Sequence, residues 1–392
     1  MRTTTRIVVA LAILTSIFSY FKFSHCESKV WAGPDQYIHA CYSDLPALFS
    51  TRAFGDGKWA FVGGEQAVEY PVLQGVIMWA TAQISGDSPI TYFRVNAILL
   101  ALLFLLSVLV VHRIKPEFSY LYAIAPTVIA ALYINWDLWA IATMLLAIYW
   151  FDRKKLLLSS IALAIAIATK FFPIFLLLPI AVIFLRRNQI KSGLIYIATV
   201  LGGFILINIP FALTTPEGWW RFYDLNLHRD ADWGSLWYGL SIFGVNLASI
   251  NYLTILALLI GVLAVTIFLL QTKRTLPLSE SAVYIFIVVM AVGKVYSPQF
   301  VLWLTPLVLM AIIDKRDLAW FWFFVITEIS YHLAIWQHLA SITGATYGLP
   351  LKGYGAFTLL RIIASLALVV ALARRHRSAG LLPAERWPEI AV

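Results

Sequence analysis

Residues 252–271, YLTILALLIGVLAVTIFLLQ, run for twenty positions without an Asp, Glu, Lys or Arg. A helix of that length spans about 30 Å, the thickness of the hydrocarbon core of a bilayer. Similar runs recur along the chain, separated by short basic clusters: HRIK at 112–115, DRKK at 152–155, RRNQIK at 186–191, TKR at 272–274, DKRD at 314–317 and RRHR at 374–377. The chain is 61% hydrophobic and 12% charged, against roughly 25% charged in soluble proteins. A water-soluble core cannot hide that much apolar surface. The expected fold class is all-α, a polytopic membrane protein. The net charge of +9 sits in these loops, as the positive-inside pattern requires, and makes no nucleic-acid surface. No nucleic-acid partner is expected.

The clusters also set a topology. The segment Ile7 to Phe21, after Arg2 and Arg6, reads as an uncleaved anchor, because no small-residue cleavage site follows it. It places 24–90 outside, and the run 91–112 returns the chain. The shorter stretch 69–85 is then an interfacial or re-entrant helix. Paired runs follow: 118–133 with 138–151, 156–169 with 173–185, 192–209 with 252–271, 281–293 with 299–313, and 318–336 with 355–373. About twelve spans result, several shorter than the roughly 20 residues that cross squarely. Short paired spans suggest helices that stop at a cavity in the outer half of the bundle. The expectation is one domain over 1–392, multi-pass in the cell membrane, with both termini cytoplasmic. Its large outer loops are 24–90, 210–250 and 337–354. Cys26 and Cys41 both fall in the first of them, where a disulfide persists; a structural staple is expected rather than two free thiols.

Charged residues cluster at the outer face. Intramembrane or rim charges are costly, which makes them functional candidates unless they snorkel or pair. Lys170 in ATKFFP and Lys294 in VGKVYSPQ occupy equivalent points of two outward hairpins. With Arg94 they are expected to form a cationic pocket suited to a lipid phosphate, with Arg229 in reserve. The loop RDADWGSLWYG, 229–239, mixes Trp233, Trp237 and Tyr238 with Arg229 and Asp232. It reads equally as an interfacial aromatic belt and as a platform for a sugar ring.

Several stretches resemble a known family. YSDLPALFSTR, EYPVLQG, NWDLWA, ATKFFP, RDADWGSLWY and KVYSPQFVLWLTPL, in this order over 42–310, are similar to bacterial polyprenyl-phosphate-mannose-dependent mannosyltransferases of the GT-C superfamily, glycosyltransferase family 87, actinobacterial branch. TEISYHLAIW, near 327, is a weaker match. The sequence departs from the family at EYPV, where many members have Tyr-Pro-Pro, and at His332, where an aromatic residue is expected. The resemblance implies a GT-C-like bundle and a catalytic base at Asp44, in YSDLP. It also implies a β-linked sugar on a polyprenyl monophosphate as donor. A single displacement then yields an α-glycoside on a glycolipid or glycan acceptor at the extracytoplasmic side.

Alternatives stand beside these assignments. Asp44 followed by Pro46 also suits a helix N-cap. Glu69, next to Tyr70, is a second candidate base, or orients the acceptor, or pairs with Arg52. Asp230 and Asp232 have the Asp-x-Asp spacing of metal-dependent transferases, but a lipid monophosphate needs less neutralisation and Arg229 adjoins them. A salt bridge or sugar contact is favoured, with no metal and no cofactor expected. Asp137 caps a helix or serves the site. Glu328, inside an apolar run, is expected to face the bundle interior, hydrogen-bonded or protonated. The competing functions are a secondary transporter or flippase, and a non-catalytic assembly factor. The absence of a visible internal repeat and the one-sided charges favour an enzyme.

Overall fold

Proline, glycine and charge punctuate the apolar runs into helices of two lengths. A computed structural model describes residues 2–378, all helix, turn and loop with no strand among the described residues. Met1 and residues 379–392, the ends of the expected domain, lie outside the described residues. Among the described residues, six helical segments are long and apolar enough to cross a bilayer: Thr4–Ser28, Pro89–Ile114, Ile190–Thr214, Ile250–Gln271, Lys315–Ile342 and Leu351–Arg377. Seven shorter apolar segments accompany them. Six of the seven coincide with the remaining expected spans, and the seventh is Val72–Ser85.

The two lengths have different surroundings. Every residue of Val301–Ala311 is buried, and so is most of Leu278–Val292. By contrast, only 11% of the apolar stretch of Ile250–Gln271 and 17% of that of Ile190–Thr214 are buried. Apolar on all faces and uncovered by protein, those two helices suit a lipid environment. The short helices are the protein core, and their ends leave the space in which the cavity forms.

The segment 69–85 resolves as Val72–Ser85, fourteen residues after Pro71. At 1.5 Å per residue it is about 21 Å long, too short to cross squarely. Gly75 lets it approach the 54–66 turns, since a Cβ there would lie 2.3 Å from the Phe61 ring. Ser88 caps the next helix through the Thr91 N–H, with Pro89 in its first turn.

Loop boundaries differ from the expected ones. The first helix continues to Ser28, past Phe21, because the polar residues after it remain hydrogen-bonded to the helix and to neighbouring elements. The 210–250 loop is mostly helical: Pro216–His228 and Leu236–Ile242 follow a helix that ends at Thr214. The last loop shortens to 343–350, because Lys315–Ile342 and Leu351–Ser378 extend beyond the apolar runs. Cys26 and Cys41 form a disulfide, with Cα atoms 5.8 Å apart.

Candidate active site

The stretch YSD docks on the end of a neighbouring hairpin. Ser43 Oγ donates to the Tyr133 carbonyl at 2.7 Å, and the Asp44 N–H donates to the Ile134 carbonyl at 2.7 Å. Ser43 Oγ also accepts from the Leu45 N–H, so Ser43 is the N-cap of Asp44–Thr51. The Asp44 carboxylate is therefore not spent on capping. It lines a cavity of about 890 Å3.

Around Asp44 the charges are mixed. Lys170 ends the helix Leu156–Thr169, and its Nζ pairs with Asp137 Oδ1 at 2.7 Å and faces the Tyr70 ring at 4.8 Å. Trp303 Nε1 donates to the second Asp137 oxygen at 2.9 Å. Asp137 is thus buried behind Lys170, and its side chain makes no cap bond to the helix Leu138–Asp152 that it precedes. Glu69 lines the cavity and pairs with Arg52 at 2.6 Å. Desolvation in the cavity wall pushes the Asp44 carboxyl up to about 6, and Asp137 and Glu69 push the same way. The Tyr42 hydroxyl and Lys170 pull it down. A carboxyl in that range takes up and releases a proton near neutral pH.

A second group of polar residues reaches the cavity from two interlocked loops. The Asp232 N–H donates to the Lys294 carbonyl at 2.8 Å, Lys294 Nζ donates to the Arg229 carbonyl at 2.6 Å, and Trp237 Nε1 donates to the Val292 carbonyl at 2.7 Å. Lys294 Nζ also reaches Asn251 Oδ1 at 2.8 Å, so its hydrogen bonds go to neutral oxygens. Burial and the nearby Arg229 charge lower the Lys294 pKa, partly offset by Asp230. Asp232 is held by Arg229 at 2.5 Å and accepts from the Trp233 N–H at 2.7 Å, the salt bridge expected of this loop.

Beneath these loops lies a buried ion pair. Arg361 Nε donates to Glu328 Oε1 at 2.9 Å, with both side chains almost wholly buried. The guanidinium lies between the rings of Tyr296 and Tyr331, 3.4 and 4.0 Å from their centroids, and donates to the Tyr296 and Ser297 carbonyls. It thereby fixes the backbone that follows Lys294.

The structure brings together Asp44, Glu69, Tyr70, Lys170, Arg229, Asp232, Trp233 and Lys294 around one cavity. Asp137 stands behind Lys170. Trp237 is buried below the rim, and Tyr238 packs against Trp233 with ring centroids 4.9 Å apart. Both support the loop and do not line the space. Arg94 is not brought to the cavity. It lies near the start of Pro89–Ile114, 59% exposed, and pairs with Glu27 of the first helix, which also accepts from Tyr20. A long side chain on that helix face meets a carboxylate before it can reach Lys170.

The remaining walls were less evident from sequence. Tyr37, Tyr42 and Trp336 form an aromatic group, with Tyr42 and Trp336 centroids 5.3 Å apart. Phe171, Phe172, Phe175, Phe222 and Phe300 make the cavity apolar elsewhere. Tyr42 opens the YSDLP motif and Phe171 and Phe172 lie in ATKFFP, which is the signal that was available for them.

No family model matches the sequence, and no curated protein is similar to it. Among solved structures the chain is similar to the crystal structure of ArnT from Cupriavidus metallidurans bound to undecaprenyl phosphate. The TM-score is 0.46 and the identity 14%, over 95% of this chain and 77% of that one.

Proposed function

We propose that this protein is an integral-membrane inverting glycosyltransferase of GT-C type. It moves mannose from a polyprenyl-phosphate donor to a glycolipid or glycan hydroxyl at the extracytoplasmic side of the membrane. One observation carries the reading: Asp44, its carboxyl pushed up to about 6, shares a cavity rich in aromatic residues with Lys170, Lys294 and Arg229. A base, cations for a phosphate and apolar walls for a prenyl chain are the three requirements of this chemistry. The motif resemblance supports the same assignment and is the source of mannose as the sugar.

The step follows from these roles. The acceptor oxygen attacks the anomeric carbon as the bond from that carbon to the phosphate oxygen breaks, and the bonding pair leaves with the phosphate. The acceptor proton passes to Asp44, within hydrogen-bond reach of the attacking hydroxyl. Lys294 and Lys170, with Arg229, take up the charge growing on the leaving phosphate. One displacement inverts a β-linked sugar into an α-glycoside. Glu69, held by Arg52, and Tyr70 orient the acceptor or the sugar, and Trp233 offers a flat face for the ring.

The test is sugar transfer by membranes containing this chain, with radiolabelled polyprenyl-phosphate mannose as donor and a lipid extract as acceptor. Wild type is compared with Asp44→Asn and Lys294→Ala at matched expression. Transfer by wild type that is lost in Asp44→Asn is expected. Transfer only from a glucose or arabinose donor would correct the sugar. No transfer from any of the three would overturn the reading in favour of a transporter or an assembly factor.

A further inference from the structure

The disulfide gathers three metal-ligating side chains that the cavity does not use. His25 precedes Cys26, and His39 lies two residues before Cys41, so the Cys26–Cys41 bridge draws both imidazoles to one place. Asp35 opens the short helix Asp35–Ile38 between them. His25 Nε2 lies 2.8 Å from Asp35 Oδ2, and His39 Nδ1 lies 3.3 Å from Asp35 Oδ1. The imidazole centroids are 3.8 Å apart, and one ligand atom from each of the three residues lies within 4.8 Å of the other two.

These spacings suit a metal of a particular kind. Zinc bonds to nitrogen and oxygen at about 2.0–2.2 Å, so ligand atoms at tetrahedral angles lie about 3.3–3.6 Å apart. The observed distances need only small side-chain adjustments to meet that. Two imidazoles select against calcium and magnesium, which take oxygen ligands, and favour the zinc class.

We infer that His25, Asp35 and His39 form a binding site for one divalent transition-metal ion of the zinc class. Two imidazole nitrogens and one carboxylate oxygen bind it, and the fourth position is open to water. Coordination replaces the hydrogen bond of 3.1 Å that joins His39 Nδ1 to the Asp35 carbonyl. The ion cross-links two elements of the outer loop. It fastens Asp35–Ile38, the helix that carries Tyr37 to the cavity rim, onto the end of the first helix.

The experiment uses the full chain in detergent, purified through a tag without histidine and stripped with a chelator. Zinc uptake is read by calorimetry and by thermal shift, and cobalt is added separately as a spectroscopic probe. One equivalent of zinc is expected, together with the visible absorption of tetrahedral cobalt and a rise in Tm with zinc. His39→Ala and Asp35→Asn are each expected to weaken zinc binding by at least roughly 10–100-fold, the loss found for removing even outer-shell partners. Absence of saturable uptake by wild type overturns the proposal, as does equal uptake by wild type and the His25→Ala/His39→Ala variant. The wild-type titration and spectrum do not depend on any variant folding. Neither readout depends on sugar transfer, so this proposal and the proposed activity fail separately.

Discussion

Lys170 Nζ sits 2.7 Å from Asp137 Oδ1, joining the ends of two hairpins at the floor of the cavity. The other Asp137 oxygen is taken by Trp303. Asp137 therefore orients Lys170, and Lys170 faces the cavity with a remaining share of its three N–H donors. Of the two, Lys170 is the residue placed to meet a ligand.

That division predicts an asymmetry. Lys170→Met strands a buried carboxylate, for which a cost of about 3–5 kcal/mol is expected. Asp137→Asn keeps Lys170 in place with a neutral partner and is expected to cost less stability. The double variant Lys170→Met/Asp137→Asn is expected to recover much of the stability while remaining without transfer. Thermal unfolding in detergent and the transfer assay check the two halves. Recovery of transfer by the double variant would remove Lys170 from the site.

Asp44 sets a pH dependence. The base of the proposed reaction works deprotonated, so transfer is expected to rise with pH through about 6 and level off above it. Asp44→Asn is expected to lose about 100- to 10,000-fold in rate, the range of general-base catalysis. Stability moves the other way. The folded state holds the Asp44 proton more tightly than the unfolded one, so it binds more protons between about 3.8 and about 6. The Asp44 contribution to stability is therefore lost as pH rises across that window. Asp44→Asn, which stays neutral, is expected to gain Tm relative to wild type at pH 8 and lose that advantage near pH 4. Paired Tm and rate profiles of the two proteins decide both signs.

Much of this was legible because chemistry-bearing residues are conspicuous in an apolar chain. Asp44, Glu69, Lys170 and Lys294 each stand in a short polar break between apolar runs, and all four reach one cavity. Arg94 stood in a similar break and went elsewhere. Nothing local to it announces Glu27, 67 residues away in sequence. The same limit hid the Arg361–Glu328 pairing, since each residue reads singly as a stray charge until the two last helices pack side by side. Trp237 and Tyr238 were legible as aromatic residues of the loop, but only packing decides that Trp233 fronts the cavity and they support it. Helix ends were misplaced where polar residues continue a helix beyond its apolar run, as after Phe21.

In the proposed reaction the interlocked loops make Lys294 the cation best placed for the leaving group. Its amine bonds to neutral oxygens, so its charge is available to a phosphate, whereas Arg229 already pairs with Asp232. Lys294→Gln is expected to lower kcat/KM for the donor more than Arg229→Gln does, with both proteins folded. Equal losses would indicate that the loop acts as a unit and that Lys294 has no separate role.

The Cys26–Cys41 bridge closes a loop of 15 residues. In the chain-entropy account such a closure contributes about 3 kcal/mol. The Cys26→Ser/Cys41→Ser variant is expected to unfold at lower temperature than wild type under non-reducing conditions. Wild type treated with reductant is expected to approach the variant. An unchanged Tm would mean that the contacts of the helices alone hold this loop.

Gly234 offers a test of how the Trp233 loop is held. Its φ is +76°, and its N–H donates to the Tyr354 hydroxyl at 2.7 Å. A Cβ there would lie 2.2 Å from both the Tyr296 carbonyl oxygen and the Tyr331 hydroxyl. Gly57 has a similar φ of +73°, yet a Cβ at that position meets nothing within 4 Å. Gly57→Ala therefore carries only the backbone cost, about 1–3 kcal/mol. Gly234→Ala adds a collision with the backbone that Arg361 fixes, which cannot yield without moving Lys294. It is expected to lower Tm further than Gly57→Ala and to reduce transfer even where the protein remains folded. A Gly234→Ala protein with wild-type transfer would show that the 229–235 loop tolerates displacement, and that Asp232 and Trp233 are not held in place for the reaction.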